Sequence, residues 1–239
     1  MRIMISVIIP TYNEKENIKK LILKIIDVFR ANKLNGEIII VDDNSPDGTG
    51  EIAEMLAKKY SQKYPIKVIH RKGKLGLASA VIEGFNRSKG NILGVMDADL
   101  SHLPSAIPSL VKPIEKGIVD FTIGSRYVNN GKIIGWPFLR TLISKGATLI
   151  ARHLASVKDP MSGYFFIKRS VIDNTCLNAH GYKICLEILV KGNYSKVMEV
   201  PITFKDREKG SSKLNKQEFI DYLYNVANLS IYKLLRRRS

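Results

Sequence analysis

The sequence predicts an α/β protein built on a mostly parallel sheet with helices on both faces. Two observations point there. Short apolar, β-branched runs alternate with segments of helical periodicity through the first half of the chain. Those runs are continuous rather than alternating, as in strands buried on both faces. A third observation says where to look for chemistry: polar, turn-forming segments follow three of the runs. Right-handed crossovers place ligands at the carboxyl ends of such strands.

The elements follow in order. Ile3–Ile9 reads as a buried strand, and a helical pattern runs from about Glu14 to Arg30. Glu37–Val41 is a second strand and Gly50–Tyr60 a second helix. Ile66–Ile69, Leu77–Arg87 and Ile92–Met96 repeat the theme, and Val119–Ile123 is a further strand. The second half is less regular. Leu139–Val157 reads as a helix, with Arg140, Lys145 and Arg152 opposite its apolar face. The last helix, about Gln217–Leu235, has a narrow polar stripe of Asp221, Asn225 and Asn228 on an otherwise apolar surface, and ends in Arg236–Arg238. No linker or low-complexity stretch divides the chain. The expectation is one domain over residues 1–215 followed by a C-terminal amphipathic basic helix and tail over 216–239.

Hydrophobic residues make up 45% of the 239 and charged residues 25%, which is ordinary for a globular protein. The formal net charge of +16 is not, and it favours polyanionic partners: nucleic acid, anionic lipid or phosphorylated substrates. The basic residues are spread over several elements, without a recognition-helix signature or an aromatic stacking motif. That argues against a nucleic-acid-binding module, which would bind tightly and salt-sensitively. Cys176 and Cys185 form no CxxC pair and the four histidines are scattered, which speaks against zinc and for a reducing, intracellular setting. The amino terminus turns polar too soon for a signal peptide. No run of about eighteen apolar residues suggests a membrane span.

The sharpest signal is Val95–His102, where Asp97 and Asp99 sit one residue apart at the end of an apolar run. On an extended strand alternate residues face one side, so both carboxylates would converge. A solvated turn would look the same; a divalent ion that also holds a phosphate is the functional reading. Asp42–Thr49 (DDNSPDGT) is rich in turn formers, yet two acids lead directly off the strand, where a ribose or base needs acceptors. Within it, Gly48–Ala53 fits GxGxxA, but the glycines come late and no acid follows about 20 residues on, so the match reads as chance. Gly73–Ala78 is a glycine-bearing loop before a helix, without P-loop spacing. Arg126, in Gly124–Tyr127, stands at a strand end where a phosphate contact is expected. Val128–Phe138, with Ile133, Ile134 and Trp136 between glycines, suits a mobile lid or a membrane-facing loop. Phe204–Lys213 is a polar basic loop whose composition suits a flexible solvated connection, or one in which Arg207 and Lys213 close over a pyrophosphate.

Together these segments resemble family 2 glycosyltransferases with the GT-A fold. The matching stretches are Pro10–Glu14 (PTYNE), Val41–Thr49 (VDDNSPDGT), Lys74–Leu77 (KLGL), Asp97–His102 (DADLSH), Gly124–Tyr127 (GSRY) and the Arg207–Lys213 loop, in order over about residues 5–215. Within the family the pattern is most similar to members that move mannose from GDP-mannose to dolichyl (polyprenyl) monophosphate, inverting to a β-linked lipid phosphate sugar. The resemblance implies that Pro10, Tyr12, Glu14, Val41 and Asp43 hold the nucleoside. It implies that Asp97, Ala98 and Asp99 bind a divalent metal (Mg²⁺ or Mn²⁺) and the diphosphate-sugar. Arg126, Arg207 and Lys213 would contact donor phosphates or the neighbouring acceptor phosphate, and Arg140 and Ser144 the acceptor phosphate. Some relatives have Gln as a metal ligand where Ser101 stands here. Asp97, Asp99 and Arg126 are the expected catalytic residues. UDP-glucose with the same kind of acceptor is the alternative within the class; an NAD enzyme is weakened by the GxGxxA spacing.

Phe204–Ser239 holds nine Lys or Arg against four Asp or Glu. An amphipathic helix with a basic cluster suits an anionic membrane surface. The expectation is a cytoplasmic protein held peripherally on the cytosolic face of a membrane, with a small membrane-anchored partner subunit as another cover for the same apolar surface.

Overall fold

The computed structural model describes residues 3–60, 62–178, 183–206 and 216–236. In the first half, β1 (Ile5–Thr11), α1 (Lys15–Ala31), β2 (Gly36–Asp42), α2 (Thr49–Tyr60), β3 (Ile66–His70), α3 (Leu77–Arg87) and β4 (Ile92–Val95) alternate as the pattern predicts. Then come α4 (Ile107–Glu115), β5 (Phe121–Ser125), β6 (Lys132–Ile134), α5 (Phe138–Arg152), β7 (Phe165–Lys168), α6 (Ile184–Lys191), β8 (Val197–Pro201), β9 (Thr203–Lys205) and α7 (Lys216–Arg236). The main sheet has the order β3-β2-β1-β4-β7-β5-β8. Only β7 runs against its neighbours β4 and β5; the other pairs are parallel. β6 and β9 make a separate two-stranded parallel sheet.

The strands carry apolar side chains on both faces, and two cores result. On β1, Ile5, Val7 and Ile9 face one core and Ile8 the other. On β2, Ile38 and Ile40 join the first, Ile39 and Val41 the second. Helix α1 buries Ile18, Leu21, Ile22, Ile25, Ile26 and Phe29, a 3.6-residue stripe. With α2 and α4 it covers one face; α3, α6 and α7 contribute to the other. Tyr222, Val226 and Leu229 of α7, spaced one and two turns apart, are buried in that second core.

The chain steps outward from β1 to β3, then returns to lay β4 on the other side of β1. That reversal opens a crevice beyond the carboxyl ends of β1 and β4, where doubly wound sheets hold ligands.

Three sequence expectations are corrected. Helix α5 ends at Arg152 rather than Val157: the Leu154 and Val157 N–H groups bond back to Ala151 and Ala155 in tight turns. Leu154, Ala155 and Val157 stay buried, so the apolar period outlasts the helix. Strand β4 stops at Val95, before the carboxylates. The 128–138 segment is not a free lid. Lys132–Ile134 pairs with β9, and Trp136 packs edge-on against Phe204 (5.3 Å) with the Arg140 guanidinium over its other side (4.4 Å). Among the described residues no helix is long and apolar enough to cross a membrane.

Candidate active site

Three residues in left-handed backbone follow the strands at the crevice: Asn13 (φ 60°) after β1, Asn44 (φ 57°) after β2 and Leu100 (φ 62°) after β4. Asn tolerates that region because its short polar side chain bonds locally; Leu does so at a cost of about 1–2 kcal/mol. Each reverses the chain, so the strand-end segments gather around one mouth.

The loops after β1 and β2 are sewn together. Glu14 N–H donates to Thr49 Oγ1 (2.9 Å) and Lys15 N–H to Asp47 Oδ2 (3.0 Å). Asp47 also accepts from the Thr49 hydroxyl (2.6 Å), and these hydrogen bonds hold its carboxyl below the usual range although burial acts the other way. Asp42 is a structural residue, accepting from the Thr11 hydroxyl (2.9 Å) and the Ser45 hydroxyl (2.6 Å). Asp43 instead faces the crevice. It is ion-paired with the buried Arg71 and accepts from Gly76 N–H (2.9 Å). Gly76, at φ 95°, takes a backbone conformation that side chains disfavour. That bond fixes the glycine-bearing loop, and Lys74 of the same loop lies 4.3 Å over the Tyr12 ring.

Asp97 and Asp99 do not share a face of an extended strand, because β4 has ended. They are brought together by a bend that closes at Leu100. Ser101 donates both its N–H (3.0 Å) and its hydroxyl to Asp99 Oδ1, so Ser101 lies behind Asp99 and orients it. Asp97 is a third exposed, with His102 Nδ1 3.5 Å from its Oδ2. His102 is fully enclosed, stacked on Tyr164 (5.0 Å) and edge-on to Phe204. Burial pushes its pKa down to about 4, so the imidazole is neutral.

Across the crevice stands a cationic wall. Arg126 is bound bidentately to Asp159 through Nε and Nη2 (both 2.8 Å). Burial alone would lower its pKa, but the Asp159 partner holds it above the ordinary value. Arg140 pairs with Asp206 (2.8 Å), and Ser144, one turn along α5, bonds to Tyr127 Oη (2.9 Å). The Trp136 indole N–H is buried with no hydrogen-bond partner.

Both sides line one cavity of about 540 Å³, the size class of small-molecule sites. It is lined by Pro10, Tyr12, Glu14, Asp43, Asp97, Ala98 and Asp99 on one side and by Arg126, Arg140 and Ser144 on the other. Val41 is fully buried in the core beneath and does not line it. Arg207 and Lys213 lie outside the described residues. The motifs missed Trp136, Gly163, Lys183, Tyr222 and Asn225, which also line the cavity, and Asp159 behind it. One of these was visible in another guise: Asn225 belongs to the polar stripe of α7, and Asp221 of the same stripe lines the cavity too.

Asp97 and Asp99 offer hard carboxylate oxygens at one mouth, a donor type that suits Mg²⁺ or Mn²⁺. Among the described residues no group of three or more His, Cys, Asp or Glu could hold a metal by itself. The pair therefore fits an ion whose remaining ligands come from a diphosphate and water.

The model of glycosyl transferase family 2 matches residues 6–176. A dolichol-phosphate mannosyltransferase of Pyrococcus furiosus is 48% identical over 229 residues, covering 94% of this chain and 63% of that protein. One from Saccharomyces cerevisiae is 38% identical over 243 residues, covering 98% and 89%. The mannosyltransferase PcManGT of Pyrobaculum calidifontis, solved with GDP-Man and Mn²⁺, superposes with a TM-score of 0.66 at 16% identity, over 95% of this chain and 65% of that one. Fold and cavity define a glycosyltransferase of the GT-A class. The chain belongs to glycosyl transferase family 2.

Proposed function

We propose that this enzyme transfers mannose from GDP-mannose to a polyprenyl (dolichyl) monophosphate, with inversion to the β-linked product. The observation that carries the reading is a cavity with carboxylates on one side and Arg126, Arg140 and Ser144 on the other. A nucleotide-sugar seats its diphosphate at the carboxylate side only if a cation is shared there. A second, anionic reactant is received by the opposite wall.

Pro10, Tyr12, Glu14 and Asp43 hold the nucleoside, with Val41 packed beneath. Asp97, Ala98 and Asp99 hold the diphosphate-sugar, and Asp97 and Asp99 hold the metal. When bound, a divalent ion offsets the charge that grows on the departing diphosphate. Arg126, Arg140 and Ser144 hold the lipid phosphate, with Arg126 also within reach of the donor phosphates. Arg207 and Lys213 are assigned to the phosphates by resemblance. An oxygen of the lipid phosphate attacks the anomeric carbon; the bond to that oxygen forms as the bond to the β-phosphate oxygen breaks, and GDP leaves with the electron pair. The nucleophile is already ionised at neutral pH, so no general base is needed. His102, a weak base at a pKa of about 4, fits that economy.

The acceptor is a lipid, and the surface beside the cavity suits one. Phe138 (82% exposed), Leu139, Leu142 and Leu149 on α5 and Tyr224, Ile231, Leu234 and Leu235 on α7 are exposed. The two helices are tied by Tyr222 Oη donating to Ala147 O and by a His153–Ser230 bond (2.9 Å). A large apolar patch with Lys145, Arg152 and Arg236 on the same helices fits a peripheral site on an anionic membrane.

The test is a donor panel. With Mn²⁺ or Mg²⁺ and a polyprenyl monophosphate, radiolabel from GDP-mannose should enter the organic phase, and Asp99→Ala should lower the rate by about 100-fold or more. Transfer from UDP-glucose alone would overturn the mannosyl reading.

A further inference from the structure

One segment touches both sides of the cavity and belongs to none of the strand-end motifs: Asp159–Tyr164, the approach to β7. We infer that it is a positioning loop, in which Asp159 aims Arg126 and Gly163 keeps open the space that Asp97 occupies. The inference rests on the proposed roles of Arg126 and Asp97.

Asp159 is completely buried. A carboxylate in that position costs several kcal/mol of desolvation unless it is paired and hydrogen-bonded. Among the described residues its carboxylate oxygens accept from Arg126: Oδ2 takes the backbone N–H (3.0 Å) and Nε–H (2.8 Å), and Oδ1 takes Nη2–H (2.8 Å). Asp159 is itself fixed from behind. Its N–H donates to Glu199 Oε1 (2.9 Å) and the Lys158 N–H to Oε2 (2.7 Å), which ties the loop to β8. Ser162 Oγ donates to Gly124 O (2.7 Å), which ties it to β5.

The guanidinium is thus held along one edge. Tyr127, Trp136 and Phe204 surround its carbon at 5.2, 5.5 and 5.5 Å. Asp159 engages Nε and Nη2 and not Nη1, and Arg126 lines the cavity. Asp159 also offsets the charge of Arg126. The pair presents a directed N–H donor rather than a diffuse cation, and it discriminates anions by geometry. At the other end of the loop, a Cβ on Gly163 would stand 2.8 Å from Asp97 Oδ2. Any side chain there displaces the carboxylate. Tyr164 then stacks on His102, the neighbour of Asp97. One short loop therefore sets the distance between the two reacting anions.

A buried ion pair kept only for stability is replaceable by neutral groups of similar shape, and the test uses that. D159N, R126M and the double variant R126M/D159N are compared for melting temperature and for kinetics with GDP-mannose and a soluble short-chain polyprenyl phosphate. D159N should lower kcat about 100-fold, as R126M does, with the GDP-mannose KM within about threefold. The double variant should melt higher than D159N and be no slower than R126M, since Asp159 acts through Arg126. Folded D159N with kcat within about threefold of wild type, or a double variant slowed by the product of the single effects, would overturn the inference.

A second measurement does not depend on the donor. The ¹⁵N signal of the Arg126 side chain should shift on addition of magnesium pyrophosphate in the wild type and not in D159N. An equal shift in both overturns the inference even if no mannose is moved. Loss of the shift without mannosyl transfer keeps the positioning role and removes the donor assignment. G163A should weaken Mn²⁺–GDP binding by about tenfold in calorimetry while leaving the Arg126 signal intact; unchanged affinity sinks the Gly163 half.

Discussion

Asp120 shows how a carboxylate outside the site is used. It sits just before β5 and joins three chain segments: Lys168 Nζ donates to Oδ1 (2.7 Å), while Ser195 donates its N–H (2.9 Å) and hydroxyl (2.7 Å) to Oδ2. The Lys168 and Ser195 bonds hold its carboxyl well below the ordinary value of 3.8. Because the folded state prefers the ionised form, this stabilisation is complete above the ordinary carboxylate range and fades as pH falls below it. Asp120→Asn should therefore cost about 1–2 kcal/mol in denaturant unfolding at pH 7, and the gap to wild type should narrow between about pH 5 and pH 2. A gap independent of pH would show that the ionised form is not what matters. Legibility differed by residue in the same physical way. Tyr12, Glu14, Asp43, Asp97 and Asp99 were readable because a strand end announces them locally. Asp159 was not: nothing in the residues around it says that the loop folds back onto Arg126, a contact 33 residues away in sequence.

At the scale of elements, the first four strands and three helices were legible because each is long enough to show its period. Strand β7 was not. Its Phe165, Phe166 and Ile167 are wholly buried in a run too short to alternate, and only pairing with β4 and β5 makes it a strand. The 128–138 segment looked exposed because its apolar residues lie between glycines; β9 supplies the partner that sequence proximity conceals. Helix α7 is amphipathic in an unexpected way: Asp221 and Asn225 of its polar stripe line the cavity, Tyr222, Val226 and Leu229 are buried, and Leu223, Tyr224, Ile231, Leu234 and Leu235 are exposed. That exposed apolar face gives a prediction. Leu142→Asp combined with Leu234→Asp, both at positions more than half exposed, should reduce co-sedimentation with phosphatidylserine vesicles by about tenfold. The melting temperature should change little, since exposed positions carry little packing energy. Undiminished sedimentation would remove this face as the membrane contact.

For the molecule as a whole, the cavity is assembled from segments far apart in the sequence: Pro10 of β1 and Asn225 of α7 line the same space. Its lining sets carboxylates against arginines that are themselves paired to Asp159 and Asp206, so the site as a whole is less cationic than the net charge of +16 suggests. The surplus lies elsewhere, on surfaces free to meet polyanions. The wall between Arg126 and Arg140 contains Trp136, and it is the one tryptophan in the 239 residues. The protein therefore carries a built-in fluorophore in the lining of the cavity proposed to receive its reactants. Selective indole excitation reports this wall alone, without a label and without background from the rest of the chain. Filling the cavity with nucleotide and lipid phosphate should change the intensity or wavelength of that emission, giving affinities in the absence of turnover. Emission unmoved at saturating concentrations of both would mean that the ligands sit away from the Trp136 wall.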